Sequence, residues 1–387
     1  MVRRATARLS HHCHTRVAVC RDAREATKNL VPNRMVGYEG GLFLLWDCRI
    51  RCTVDNLGQF MKPAPVSMSQ STKVTRDRWF AKLPWIDQEG ANIDDYCRTH
   101  QEPLFDLKDK LTHWRDQGVV IFERAISPVA IDAFLGEMDS LISAPQGFSL
   151  EMDIAGKRKP ISEFTTEELR SYDKLKFNNV HYISPAARLL SLSPVVVNFL
   201  RHVFQETPCA MQTLTFNKGS QQPAHADFAF VHNQTNISFM AASWIPLEDI
   251  HPDSGPLAYY PGTHKVMNFG FYDFGDGEII LTNGSDLMSA SEFAAWLQGE
   301  ITAGKYPQKI FLPKKGDVLL WHAALVHEGS RIINQSLTRK SLVTHYTGRS
   351  QMPETHIMRD ADGAVQQIEH NGGVVLKHRW VDYGRQL

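Results

Sequence analysis

From residue 209 onward the chain is built of short strands separated by turn residues. "CAMQTLTFN" (209–217) alternates apolar and polar side chains, and "TNISFMAASWIPL" (235–247) does so less strictly. "GPLAYYPG" (255–262), "GDVLLWHAALVHEG" (316–329) and "RKSLVTHYT" (339–347) complete the set. Alternation buries one face of a strand and solvates the other. Short strands joined through Gly, Pro and Asp predict a barrel or a sandwich rather than a βαβ fold, whose parallel strands need crossover helices. One helix interrupts the strands, with Ser289 and Glu292 of "SASEFAAWLQGE" spaced as a capping box. It lies in a long excursion over about 265–310, an insertion expected on the surface and suited to covering a mouth.

Upstream the period is helical. In "DLKDKLTHWRDQGVVIFERAISPVAIDAFLGEMDSLI" (106–142), Leu107, Leu111 and Trp114 share one helical face. Gly118 ends that helix, "VVIF" reads as a short buried strand, and Ser127 with Pro128 starts a second helix lined by Ile131, Phe134, Leu135 and Met138. The charged stretch 155–179 reads as a rim or flap, and "SPAARLLSLSPVVVNFLRHVF" (184–204) as a helix broken near Pro194. The whole predicts a mainly β protein with flanking helices.

The 387 residues are 43% apolar, enough for a substantial core, and Lys plus Arg balance Asp plus Glu at 42 each. Nothing in these totals points to a nucleic-acid or membrane partner, and no apolar run approaches the ~18 residues of a spanning helix. The front of the chain differs. Residues 1–34 hold eight Lys or Arg against two Asp or Glu, and four of the six cysteines fall within the first 52 residues. Residues 1–67 are therefore expected to be a basic, disordered tail and linker, with a targeting segment or a start-site artefact (a natural start at Met61 or Met68) as alternatives, and 68–387 the folded domain. The sparse later cysteines, Cys97 and Cys209, argue for a reducing compartment, the cytoplasm.

Chemistry enters at "QQPAHADFAF" (221–230), where His225 and Asp227 stand two apart with His232 nearby. A His-x-Asp triplet arises often by chance, so it needs a third donor. Two imidazoles and one carboxylate on one face of an octahedron hold ferrous iron and leave three positions open. The candidate third ligand is His327 in "WHAALVHEGS", although 17 histidines offer other choices. Strand alternation would point His225 and Asp227 the same way. Arg339, twelve residues beyond His327, could grip a carboxylate through two parallel hydrogen bonds. That pairing suits a dicarboxylate held by metal at one end and by arginine at the other. His322, five residues before His327, falls on the opposite side of a strand and reads as structural, and His264 in "PGTHK" as structural or pocket wall.

The segment 209–347 resembles the phytanoyl-CoA dioxygenase family of iron- and 2-oxoglutarate-dependent oxygenases. The resemblance rests on "HAD" (225–227), "ASWIPLEDIHPDSGPLAYYPGTHK" (242–265) and "KKGDVLLWHAALVHEGSRIINQSLTRKS" (314–341). "WRDQGVVIFERAISPVAIDAF" upstream is also similar, so the likeness spans roughly 105–347. It implies a double-stranded β-helix (a jelly roll, cupin-like) flanked by helices. His225, Asp227 and His327 fall on the family's iron ligands, Arg339 on the residue that grips the distal carboxylate of 2-oxoglutarate, and Trp244 beside the co-substrate pocket. Gln212 and Ser336 are further candidates for holding 2-oxoglutarate, with Thr215 and Asn217 on the same strand as Gln212. Two departures are visible: a longer interval from His327 to Arg339, suggesting a bulge in "SRIINQSLT", and Ala226 after His225, which would enlarge the pocket.

The implied activity is Fe(II)- and 2-oxoglutarate-dependent hydroxylation of an aliphatic C–H in a small-molecule metabolite, with O2 consumed and succinate and CO2 as co-products. Asp227 favours this over halogenation, because halogenating relatives carry a small residue there and chloride fills the gap. A cupin-type isomerase or hydrolase, needing metal but neither 2-oxoglutarate nor Arg339, and a non-catalytic member of the fold are the alternatives. Lys174, Asn178 and Asn179 are candidates for the substrate entrance, and Phe228, Phe230, Phe269, Phe271 and Tyr272 for an apolar wall. A monomer or homodimer is expected.

Overall fold

The computed structural model describes residues 83–387 except 149, 155–156, 172–174, 230, 232–236, 266–270, 274–279, 283–286, 289, 305 and 354–356. The tail and linker expected over 1–67 lie outside these residues, as do Lys174, Phe230, His232, Phe269 and Ser289 and the side chains of Phe271, Tyr272 and Glu292.

Helix α1 (Ile93–Thr99) leads to α2 (Leu107–Gln117). Leu107, Leu111 and Trp114 are all buried on α2, as their spacing predicts. Asp106 caps the helix by accepting from the Asp109 amide at 3.0 Å. Gly118 ends it at φ 72°, and a Cβ there would run into the His264 ring. Strand β1 (Val119–Phe122) follows directly. Helix α3 (Pro128–Ser143) starts at Ser127, whose hydroxyl accepts from the Val129 amide at 3.2 Å, with Pro128 in its first turn. Ile131, Phe134, Met138 and Leu141 are buried on it, while Leu135 is half-buried.

The stretch expected to be a rim or flap joins the sheet at both its ends. Strand β2 (Glu151–Ile154) pairs with β3 (Lys157–Pro160) and, beyond helix α4 (Thr166–Ser171), with β4 (Leu175–Asn178). Met152, Leu175 and Phe177 are buried there. The many lysines and glutamates masked a short alternating pattern on β4 whose apolar members face the core. The helix expected over 184–204 is two helices, α5 (Pro185–Ser191) and α6 (Pro194–Phe204), split before Pro194.

The remaining elements are β5 (Pro208–Phe216), β6 (Met240–Pro246), β7 (Leu257–Tyr259), β8 (Phe271–Asp273), β9 (Ile280–Thr282), β10 (Leu287–Met288), α7 (Ala290–Thr302), β11 (Lys309–Phe311), β12 (Val318–His322), β13 (His327–Gly329), β14 (Ser341–Gly348), β15 (Gln367–His370) and β16 (Gly373–Leu376). The large sheet runs β1-β12-β6-β14-β5-β4-β2-β3, with β16 also pairing with β5 and β15 with β16. A small sheet runs β11-β7-β13, and the excursion over 265–310 carries a third, β10-β9-β8. The single strand predicted over 316–329 is two strands in different sheets. Leu325 N donates to His322 O at 2.8 Å where the chain leaves the large sheet for the small one. A continuous apolar run such as "AALV" does not itself show where a strand stops.

The inner faces of the two sheets share one core. Trp244, Leu319, Trp321 and Val343 of the large sheet pack with Leu257, Tyr259 and Phe311 of the small one. The Trp244 and Phe311 rings meet edge-on at 5.9 Å. The opposite face of the large sheet, including Val318, Leu320 and Leu342, packs against Leu111, Phe134 and Phe199 of the helices. The architecture is a double-stranded β-helix with helices on the outside of its larger sheet. Among the described residues no helix is long and apolar enough to cross a membrane.

Candidate active site

The structure brings His225, Asp227 and His327 together, but not through strand alternation. His225 is a single-residue bridge, paired antiparallel with His327 at the start of β13. Asp227 opens a one-turn 3-10 helix (Asp227–Ala229) instead of continuing a strand. Val231 N donates to Asp227 O at 2.9 Å and holds that turn closed. The carboxylate therefore reaches the histidines because the chain bends after Ala226.

One donor atom from each of the three residues lies within 4.8 Å of the others. Asp227 Oδ1 is 3.4 Å from His327 Nε2 and 3.9 Å from His225 Nε2. Each imidazole engages a carbonyl through Nδ1: Pro223 O at 2.8 Å for His225 and Leu325 O at 3.0 Å for His327. That contact puts the ring proton on Nδ1 and turns the Nε2 lone pair inward, the usual device for presenting histidine to a metal. Trp321 Nε1 donates to Asp227 Oδ2 at 2.7 Å, so the other oxygen faces the histidines. Two inward imidazoles and one carboxylate oxygen fit an octahedral divalent ion with positions to spare, Fe(II) above all.

Charge is divided unevenly across the three. Burial, with His327 nearby, pushes His225 down to about 3. Burial also opposes charge on His327, but the Asp227 carboxylate outweighs it and holds His327 above its ordinary value. Burial would raise Asp227, yet His327 and His345 keep it well below the usual carboxylate range. The metal-free site therefore favours an ionised carboxylate beside His327.

Arg339 stands at the entry to β14, where its amide donates to Asn217 O at 2.9 Å. Its side chain is 2% exposed. The guanidinium lies over the Trp244 ring at 5.4 Å and the Phe216 ring at 5.8 Å. Among the described residues its side-chain hydrogen bond goes from Nη1 to Gly255 O at 3.3 Å, and Nε is buried with no partner there. No ion pair joins it to a carboxylate among the described residues, and burial lowers it only to about 10, so it stays charged at neutral pH. A cavity of about 60 Å³ is lined by His225, Asp227 and His327 and also by Arg339, Trp244 and Phe216. A larger groove of about 790 Å³ runs along β1 and includes none of the triad.

The other predicted residues divide. Trp244 lines the cavity. Gln212 shares a face of β5 with Leu214 and Phe216, which line it, but does not line it itself. Ser336 is exposed, and its amide and hydroxyl both donate to Asn334 Oδ1, at 3.0 and 2.7 Å. It sits in the loop before Arg339, which takes up the interval where a strand bulge was expected. Asn334 N in that loop donates to Asp253 O at 3.0 Å. Asn179 is tied to Thr213 by a 2.7 Å backbone bond, and neither it nor Asn178 lines the cavity. His322 is buried against Trp114 and His264, away from the triad. His264 Nε2 contacts Arg115 O at 3.1 Å.

Among the cavity residues that the sequence reading did not single out are Trp321, His345 and Phe216. Trp321 and His345 carried a usable signal. Each lies an even number of positions from a residue that packs inward on its own strand: Leu319 on β12 and Val343 on β14.

The phytanoyl-CoA dioxygenase (PhyH) family matches residues 114–341, more than half of the chain. Phytanoyl-CoA dioxygenase domain-containing protein 1 of Danio rerio is 22% identical over 256 residues, covering 56% of this chain and 82% of the relative. The Caenorhabditis elegans homolog is 20% identical over 265 residues, covering 58% and 84%. Among solved structures, EctD from S. alaskensis, crystallised with 2-oxoglutarate and 5-hydroxyectoine, aligns at TM-score 0.47 and 17% identity over 65% of this chain and 79% of its own. The carbocyclase SnoK from nogalamycin biosynthesis aligns at TM-score 0.46 and 16% identity over 69% and 96%. By its match over residues 114–341, the chain belongs to the phytanoyl-CoA dioxygenase family of iron- and 2-oxoglutarate-dependent oxygenases.

Proposed function

We propose that this protein is an Fe(II)- and 2-oxoglutarate-dependent dioxygenase that hydroxylates an aliphatic C–H of a small-molecule metabolite and releases succinate and CO2. The supporting observation is the shared cavity, in which a His-Asp-His donor set and a buried arginine with no carboxylate partner among the described residues line one space of about 60 Å³. A dicarboxylate that meets a metal at one end and a guanidinium at the other uses both. A cupin-type isomerase or hydrolase would leave the buried guanidinium without a purpose.

Bound iron and 2-oxoglutarate together supply the activation of O2. The chain's own residues supply placement. His225 and His327 through Nε2 and Asp227 through Oδ1 would hold the ion, whose donor set leaves room for a co-substrate. Arg339 grips the far carboxylate and fixes the orientation of the co-substrate. Trp244 and Phe216 cover the guanidinium and keep water from it. A carboxylate at 227 occupies the place a halide would need, which favours hydroxylation. A cytoplasmic location remains part of this reading; among the described residues the cysteines, Cys97 and Cys209, form no disulfide.

The test is anaerobic addition of Fe(II), then 2-oxoglutarate, followed by succinate measurement across candidate substrates. A weak metal-to-ligand charge-transfer band that needs both components, with substrate-dependent succinate release, is the expected result. Iron binding with no such band and no succinate would make the protein a metalloenzyme of the cupin type instead.

A further inference from the structure

We propose that His345 is a positioning residue of the metal site: with Trp321 it clamps the outer oxygen of Asp227, so that this ligand meets the metal through one oxygen only. The inference rests on the iron reading above and deepens it.

The two oxygens of Asp227 face different surroundings. Oδ1 lies toward the imidazoles, 3.4 Å from His327 Nε2 and 3.9 Å from His225 Nε2. Oδ2 lies toward the large sheet, 2.7 Å from Trp321 Nε1 on β12 and 3.5 Å from His345 Nε2 on β14. An ionised carboxylate oxygen offers two lone pairs; the Trp321 indole N–H fills one, and an N–H on His345 would fill the other once that contact closes to hydrogen-bond distance. A carboxylate free at both oxygens can chelate and occupy two metal positions. One whose second oxygen is doubly engaged binds through the first and leaves another position open.

His345 is otherwise hard to account for. It comes from the middle of the large sheet, in register with Gln212 on β5 and Ala242 on β6, and is 3% exposed. Among the described residues neither ring nitrogen makes a hydrogen bond of normal geometry. Among the described residues its carboxylate contact is Asp227 Oδ2. A buried imidazole is a costly choice in mid-strand, between Thr344 and Tyr346, unless a polar group engages it. The 3.5 Å separation is closed by a small rotation of either side chain, with the ring proton on Nε2.

Cobalt(II), which is stable in air, serves as the probe. The full chain is titrated with Co(II) and followed by visible d–d absorption as wild type, His345→Gln, His345→Leu and Trp321→Phe. Gln places an amide N–H near the Nε2 position, whereas Leu fills the space without a donor. His345→Leu is expected to weaken Co(II) about tenfold or more and to shift the d–d band toward a higher coordination number. His345→Gln should stay within about threefold of wild type, and Trp321→Phe should shift the band as Leu does. Wild-type affinity and spectrum in His345→Leu overturn the clamp, as does equal impairment of Gln and Leu. If His345→Leu does not fold, an unchanged band in Trp321→Phe overturns it independently. A wild type that binds no Co(II) refutes the metal reading itself, whereas a binding wild type with indistinguishable variants refutes only the clamp.

Discussion

His225 and His327 are each other's backbone partners: the amide of each donates to the carbonyl of the other, at 3.0 and 2.9 Å. Their ring centroids stand 4.4 Å apart as a result. The spacing of the two imidazoles is set by main-chain pairing, and a metal finds it ready-made.

Asp227 is the proposed ligand that this pairing does not fix. Asp227→Ala should leave the two histidines in place yet weaken Co(II) or Fe(II) by more than about 100-fold, since even outer partners of a ligand are worth about 10–100-fold. Asp227→Asn should fall between, because an amide oxygen is a poorer donor. Calorimetric metal titration with succinate assays on the same samples decides the matter. Full affinity and turnover in the alanine variant would remove Asp227 from the ligand set.

Arg339→Met should separate the two halves of the cavity. Loss of a buried charge-assisted contact costs about 2–5 kcal/mol, so 2-oxoglutarate should bind about 30-fold more weakly or worse. Metal affinity should not change. The metal-free variant should melt at or above the wild-type temperature, because a buried cation without a counter-ion is replaced by an apolar side chain. Unchanged 2-oxoglutarate affinity would falsify the anchoring role.

Acid should destabilise the fold through histidines outside the site. Burial holds His181 and His264 down to about 3 each, against an ordinary value of 6.5. Below pH 6.5 the unfolded chain takes up protons that the folded chain refuses. Stability therefore falls as pH drops from 6.5 toward 3, by up to about 1.4 kcal/mol per pH unit for each group. His181→Asn, which can keep the 3.0 Å contact with Thr213, should flatten this slope in denaturant titrations across that window. An unaltered slope would show that His181 does not carry it.

Gly118→Ala should lower thermal stability by about 1–3 kcal/mol, from left-handed backbone strain and contact with the His264 ring. His264→Ala in that background should recover the steric part. Additive losses in the double variant would contradict the contact.

Much of this molecule was legible as residue pattern. The buried face of α2, its glycine stop, the Ser127 cap and the breaks at Pro194 follow from local rules that tertiary contacts did not override. The site was legible as composition but not as geometry. The pattern in "HAD" suggested a strand, whereas the turn at Asp227 depends on Ala323 and the β12–β13 crossover, both remote in sequence. Ser336 drew attention because hydroxyls bind carboxylates, and nothing local revealed that Asn334 would take it into a loop. Trp321 stayed hidden because an indole in an apolar strand usually means core, and it is core on every side but the one facing Asp227.

Arg339 carries its charge into the interior under two aromatic rings, with one backbone carbonyl in contact. That burden is borne by the native state alone, since the unfolded chain leaves the guanidinium in water. A dicarboxylate that reaches it therefore acts on the folding equilibrium as well as on the reaction, by about 2.7 kcal/mol when present at 100 times its Kd. On the proposed function, the 2-oxoglutarate pool becomes a chaperone of the enzyme that consumes it. Starvation for that metabolite would thin the enzyme's population through turnover of unfolded chains before it limited the rate of any single molecule.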